Sequence, residues 1–114
     1  MQTFHYSAVE AQAVPGSEGA SIRWLIGANV GAPNFITRLI ELQPGAATEY
    51  HQHAWEHEVF VLEGQGAVQD AAGWTEIGPG SCVYVVPGEI HQFANRGDTP
   101  LRFICVIPVV PPQG

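Results

Sequence analysis

The chain has 114 residues, room for one domain, and at 46% apolar and 13% charged it can build a core without disulfides or a structural metal. Its net charge of −7 comes from eleven acids against four bases, all arginine (Arg23, Arg38, Arg96, Arg102). With no basic run to neutralise phosphates, neither nucleic acid nor an anionic membrane surface is expected as a partner. Cys82 and Cys105 form no Cys-x-x-Cys pair, which argues against a zinc knuckle or a disulfide framework. Met1 to Glu10 lacks the basic and apolar regions of a signal peptide, and no apolar run nears the roughly 20 residues of a spanning helix, so a cytoplasmic protein is expected.

Thirteen glycines and nine prolines cut the chain into segments too short for helices and rich in β-branched and aromatic residues. Residues 1–20 read as an N-terminal arm or edge strand, and residues 21–114 as one all-β domain. Strands are predicted at Ser21–Ile26, Asn34–Leu42, Thr48–His53, His57–Glu63, Ala67–Asp70, Trp74–Ile77, Cys82–Val86, His91–Asn95 and Leu101–Ile107. Turns fall at Pro44-Gly45, Gly64-Gln65-Gly66, Ala72-Gly73, Gly78-Pro79-Gly80, Pro87-Gly88 and Arg96-Gly97-Asp98. Many short strands at regular spacing predict a sandwich or barrel. The tail from Pro108 is proline-rich and is expected to end strand pairing. Two strands, Phe35-Ile-Thr-Arg-Leu-Ile and Phe103-Ile-Cys-Val-Ile, are apolar on both faces, which predicts cover for the outer face, either by a second copy in a homodimer or by a thick single-chain sandwich.

Three of the five histidines, His51, His53 and His57, lie within seven residues. On an extended strand residues i and i+2 share a face about 6.5–7 Å apart, so His51 and His53 can aim at one point. A third imidazole can return from the neighbouring strand after a turn. His91 opens a strand after Pro87-Gly88, at a strand mouth where barrels hold ligands, and makes a fourth candidate ligand. His57 and Glu58 are adjacent and must face opposite sides of their strand; we choose His57 as inward and Glu58 as outward. His5 lies far from these segments and reads as a surface residue.

These residues resemble the cupin family. The first cupin motif, Gly-x5-His-x-His-x3/4-Glu-x6-Gly, is matched by Gly45, His51, His53 and Gly64, with His57 where glutamate is usual. The second, Gly-x5-Pro-x-Gly-x2-His-x3-Asn, is matched by Gly80, Gly88, His91 and Asn95, with Val86 at the usual proline and Pro87 one place later. The resemblance implies a cupin-type jelly-roll β-barrel (a double-stranded β-helix), usually dimeric, with a metal inside. It looks most like small single-domain cupins with a four-histidine site, through His53-Ala-Trp-Glu-His-Glu and Glu89-Ile-His91. That subgroup implies manganese and oxidative cleavage of alkenes.

A set of four neutral imidazoles leaves a divalent ion uncompensated and Lewis acidic, with open positions for substrate or oxygen. One divalent ion per chain is expected: manganese from the resemblance, iron next, with nickel, zinc or copper also suited to imidazole. Pocket candidates follow from strand parity. If Cys105 points inward so do Phe103 and Ile107, whereas Arg102, Ile104 and Val106 face out. Phe93 shares the face of His91, and Trp55 sits at a turn between ligands. Arg38 shares a face with Ile36 and Ile40 and is an anion-binding candidate. Each also has a plain structural reading. The expected function is a metal-dependent oxygenase (a dioxygenase-type oxidoreductase) cleaving C=C bonds of small aromatic or enolic substrates; the alternative is a non-catalytic, metal-dependent small-molecule binding or sensor module. An isomerase or decarboxylase would want a general base, which this inward set does not supply.

Overall fold

The computed structural model describes residues 1–109; residues 110–114, the end of the proline-rich tail, lie outside the described residues. Among the described residues nine strands are arranged in chain order as β1 (Gln12–Ala13), β2 (Ala20–Ile26), β3 (Phe35–Leu42), β4 (His57–Glu63), β5 (Gly66–Asp70), β6 (Gly73–Ile77), β7 (Cys82–Val85), β8 (Gln92–Asn95) and β9 (Leu101–Pro108). Short 3-10 turns occur at Tyr6–Ala8 and Ala28–Val30. One sheet runs β1-β2-β3-β9-β4-β7 and the other β6-β5-β8, all pairs antiparallel.

Alternation decides which face is covered. In β9, Leu101, Phe103, Cys105 and Ile107 are buried while Arg102, Ile104 and Val106 are only partly so; in β4, His57, Val59 and Val61 are buried and Glu58, Phe60 and Leu62 exposed. Leu42, Val61, Leu101 and Phe103 are the most deeply buried large side chains, and the Phe93 and Phe103 rings stack with centroids 4.8 Å apart. Register then lines up side chains across the sheet: Trp24 opposes Arg38, Arg38 opposes Cys105, and Cys105 opposes Val59.

Thr48–His53, expected as a strand, is not one. Only isolated bridges form, Ala47 with Ala94 and His51 with His91. The reason lies in Thr48 and Gln92. The Phe93 amide donates to Thr48 Oγ1 (2.9 Å) rather than to a ladder carbonyl, and Gln92 Nε2 takes the Thr48 carbonyl (2.9 Å). Two side-chain bonds have replaced one ladder bond, while the Thr48 amide still donates to the Phe93 carbonyl (2.8 Å), so the segment follows β8 without being regular strand. For the same reason β8 begins at Gln92, with His91 held in the bridge.

Asn95, 5% exposed, locks the other end of this edge. Its Nδ2 donates to the carbonyls of Leu42 (2.9 Å) and Thr99 (2.8 Å), and its Oδ1 accepts from the Gly97 amide (2.8 Å). Gly64 shows where backbones pack too closely for a side chain: it has φ +92°, and a Cβ there would lie 2.5 Å from the Pro100 carbonyl oxygen. No helix among the described residues is long and apolar enough to cross a membrane.

Candidate metal centre

Four imidazoles converge between the two sheets. Ring centroids are 5.2 Å apart for His51–His53, 4.8 Å for His51–His91, 4.6 Å for His53–His57, 5.1 Å for His53–His91 and 5.0 Å for His57–His91. One nitrogen from each of His51, His53 and His91 lies within 4.8 Å of the other two. His57 joins through its Nε2, 2.8 Å from His53 Nε2. His57 and His91 are 7% and 3% exposed; His51 and His53 lie nearer the open end. Glu58 points outward, opposite Tyr84 and Val106.

Three of the rings have their tautomer set by the backbone. His51 Nδ1 lies 2.7 Å from the Glu49 carbonyl oxygen, His91 Nδ1 2.7 Å from that of Glu89, and His53 Nδ1 2.9 Å from that of Trp55. A carbonyl only accepts, so each Nδ1 carries the proton and each Nε2 keeps its lone pair for the centre. Such an outer hydrogen bond is what a metal-binding histidine needs.

His57 is held differently. Its Nδ1 faces Cys105 Sγ at 3.0 Å and Arg38 Nη2 at 3.2 Å, and the same Arg38 nitrogen donates to Cys105 Sγ at 2.9 Å. Burial, then the Arg38 charge, then the other histidines push its pKa down to about 3. Burial also lowers His53 and His91, against the opposing pull of their carbonyl partners. Burial raises the Cys105 thiol, with Arg38 acting the other way. Neutral imidazoles are the form a metal ion requires.

This donor set fits a divalent ion. His51, His53 and His91 form the mutually close group, and His57 adds a nitrogen 2.8 Å from that of His53, close to the roughly 2.9 Å that separates two nitrogens bound at right angles, each about 2.0–2.1 Å from one ion. Nitrogen-only donors suit iron, zinc, nickel and copper and bind manganese less tightly, and the geometry does not choose among them.

The centre opens into a cavity of about 300 Å³. Arg38, Trp55, Phe93, Phe103, Cys105 and Ile107 all line it, together with Ile22, Ile40 and Thr48. Trp55 lies flat on the His53 ring, 4.2 Å between centroids and 9° between planes, so this face of the indole is already occupied. Sequence reasoning missed three contributors. Trp24 lines the cavity and carries the Arg38 guanidinium 5.5 Å above its ring; its parity with Ile22 was the available signal. The arm contributes Val14, Pro15 and Ser17, which no periodicity marks. Glu49 also borders the cavity, from an exposed position where its carboxylate lies against Gly16 of the arm; its i, i+2 relation to His51 was the signal. Among the described residues, Ser17 Oγ and Arg38 Nε are buried without a hydrogen-bond partner.

Comparison with known proteins supplies a family and several likenesses. The cupin domain model matches residues 38–107. The solved structure of the polyketide cyclase RemF from Streptomyces resistomycificus superposes with a TM-score of 0.91 at 33% identity, covering 99% of this chain and 82% of that one. The tetracenomycin polyketide synthase protein TcmJ of Streptomyces glaucescens is 28% identical over 98 residues, 84% of this chain and 66% of TcmJ. An oxalate-binding protein of Thermotoga maritima is 33% identical over 69 residues, 60% of this chain and 57% of that protein. The chain thus spans less than two thirds of these two relatives. The matched motifs, the two antiparallel sheets and the family match over most of the domain agree: this chain belongs to the cupin family.

Proposed function

We propose that this chain is a metal-dependent cyclase for small, oxygen-rich polyketone substrates, with His51, His53, His57 and His91 holding one divalent ion. The observation that carries this reading is four inward imidazoles, with no carboxylate among them, at the base of an apolar, aromatic-walled cavity. The likeness to RemF over nearly the whole chain supports the choice of reaction. A divalent ion bound by four neutral donors supplies Lewis acidity to substrate oxygens. Manganese, then iron, is the choice the family resemblance implies.

The protein's own groups do the rest. Phe93, Phe103, Ile40 and Ile107 exclude water and hold a flexible ketone chain curled, so that a methylene and a carbonyl carbon of one molecule meet. Glu49, the sole carboxylate among the described lining residues, takes the methylene proton as the ring-closing bond forms. Arg38 Nε and Ser17 Oγ offer hydrogen bonds to substrate oxygens farther along the chain.

The test is anaerobic incubation of manganese- or zinc-loaded protein with a synthetic triketone ester, followed by mass spectrometry. Cyclisation predicts an isomer or a product lighter by one water, formed without dioxygen. An unchanged triketone with both metals would remove the cyclase reading. The oxygenase reading rests on the same nitrogen-only donor set and apolar walls; product formation from aryl alkenes that requires dioxygen or peroxide would favour it. Retention of a ligand with no turnover under any of these conditions would favour a binding module.

We also infer a homodimer through the outer sheet face, where Phe60, Leu62 and Tyr84 are 47%, 43% and 57% exposed beside Ile104 and Val106. Light scattering on the eluted protein should give twice the chain mass; a monomer at micromolar concentration would refute it.

A further inference from the structure

A ligand imidazole needs a partner on its outer nitrogen to present its lone pair, and His57 finds that partner differently from the other three. His57 opens β4 opposite Val85 of β7, and the Trp55 carbonyl two residues before it is already taken by His53 Nδ1. Among the described residues no backbone carbonyl holds its ring as those of Glu49, Trp55 and Glu89 hold the other three. Its Nδ1 meets instead a sulfur, which can donate or accept, and a guanidinium, which can only donate.

Two tautomers are therefore open to His57. With Arg38 or the thiol donating to Nδ1, the proton sits on Nε2 and is given to His53 Nε2 at 2.8 Å, which occupies the lone pair of His53 and leaves none on His57 Nε2. With the proton on Nδ1 and donated to Cys105 Sγ, both Nε2 atoms are free to bind an ion. Resting on the metal reading above, we propose that Cys105 is the positioning acceptor that makes His57 a conditional fourth ligand, whereas His51, His53 and His91 are ligands by backbone design. On metal binding one proton leaves His57 Nε2 for solvent and one is taken up at Nδ1, with no change in ring charge. The thiol turns its own hydrogen away, and Arg38 keeps the sulfur in place.

Long-range proton–nitrogen correlation spectra of protein carrying ¹⁵N-histidine test this directly, without and with zinc. The expected result is His57 protonated at Nε2 without zinc and at Nδ1 with it, while the other three carry Nδ1–H in both states. In parallel, zinc affinity is measured by competition with a chromogenic chelator. Cys105→Ala should bind about 10–100-fold more weakly, and Cys105→Ser, whose hydroxyl can accept, should recover most of the loss. Zinc-loaded wild type with His57 still protonated at Nε2, or a folded Cys105→Ala with wild-type affinity, would overturn the proposal and leave the metal site standing. Wild type that binds no zinc would overturn both.

Discussion

The two sides of the centre are built on opposite plans. His57 comes from β4, a regular strand paired on both edges, and relies on side chains, Cys105 and Arg38, for its orientation. His51, His53 and His91 come from irregular backbone, where carbonyls escape the ladder and are free to hold Nδ1–H. Regular sheet gives rigidity and consumes the acceptors a ligand needs; irregular backbone supplies them and must be pinned by other means. Thr48, Gln92 and Asn95 do that pinning.

The irregular side should fail most completely. The double variant His51→Ala/His91→Ala removes two of the proposed ligands, whose tautomers the backbone sets, and elemental analysis should show near-stoichiometric metal in the wild type and almost none in the variant. Equal content would place the metal elsewhere.

On the regular side, Phe103→Ala empties the floor beneath the histidines and should cost about 3–5 kcal/mol in urea unfolding. A loss below about 1 kcal/mol would mean that the floor collapses to fill the space. The same side should make the metal-free protein acid-sensitive. His57 is pushed down to about 3 in the fold from 6.5, so the unfolded chain binds the extra proton first. Stability is present above the unfolded value and falls as pH drops from 6.5 toward 3, by at most about 1.4 kcal/mol per unit from this group. His57→Gln should flatten that slope, and an unchanged slope would assign it to other groups.

Thr48→Val tests the pinning: the Phe93 amide loses its acceptor, and about 1–3 kcal/mol of stability should go with it, together with weaker metal binding through His51. Wild-type metal affinity would separate the pin from the site. The smallest effect is expected at Ser17, 6% exposed with an orphan hydroxyl. Ser17→Ala should leave the melting temperature unchanged or raise it slightly while weakening binding of the triketone, and a fall in melting temperature would make Ser17 structural.

The regular side was the legible one. β4 spans the predicted His57–Glu63, and its burial alternates from His57 to Leu62; the parity of Phe103, Cys105 and Ile107 likewise follows from a period of two. The histidine spacing also carried far enough to bring the four rings within reach. Less could be read where side chains replace backbone. Nothing in Thr48-Glu-Tyr-His-Gln-His announces that Thr48 Oγ1 will interrupt the ladder, because the segment has the composition of a strand. The arm's share of the cavity was invisible because Val14, Pro15 and Ser17 follow no period. Gly16 marks the contact only in hindsight: at φ +80°, a Cβ there would run into the Glu49 carboxylate at 2.1 Å.

The central claim is that both sides meet on one ion. Crystals grown with manganese and measured across its absorption edge test it most directly. The account predicts one anomalous peak per chain, about 2.0–2.3 Å from Nε2 of His51, His53, His57 and His91. No peak between these rings, or one bound through Nδ1 or Glu58, would contradict it.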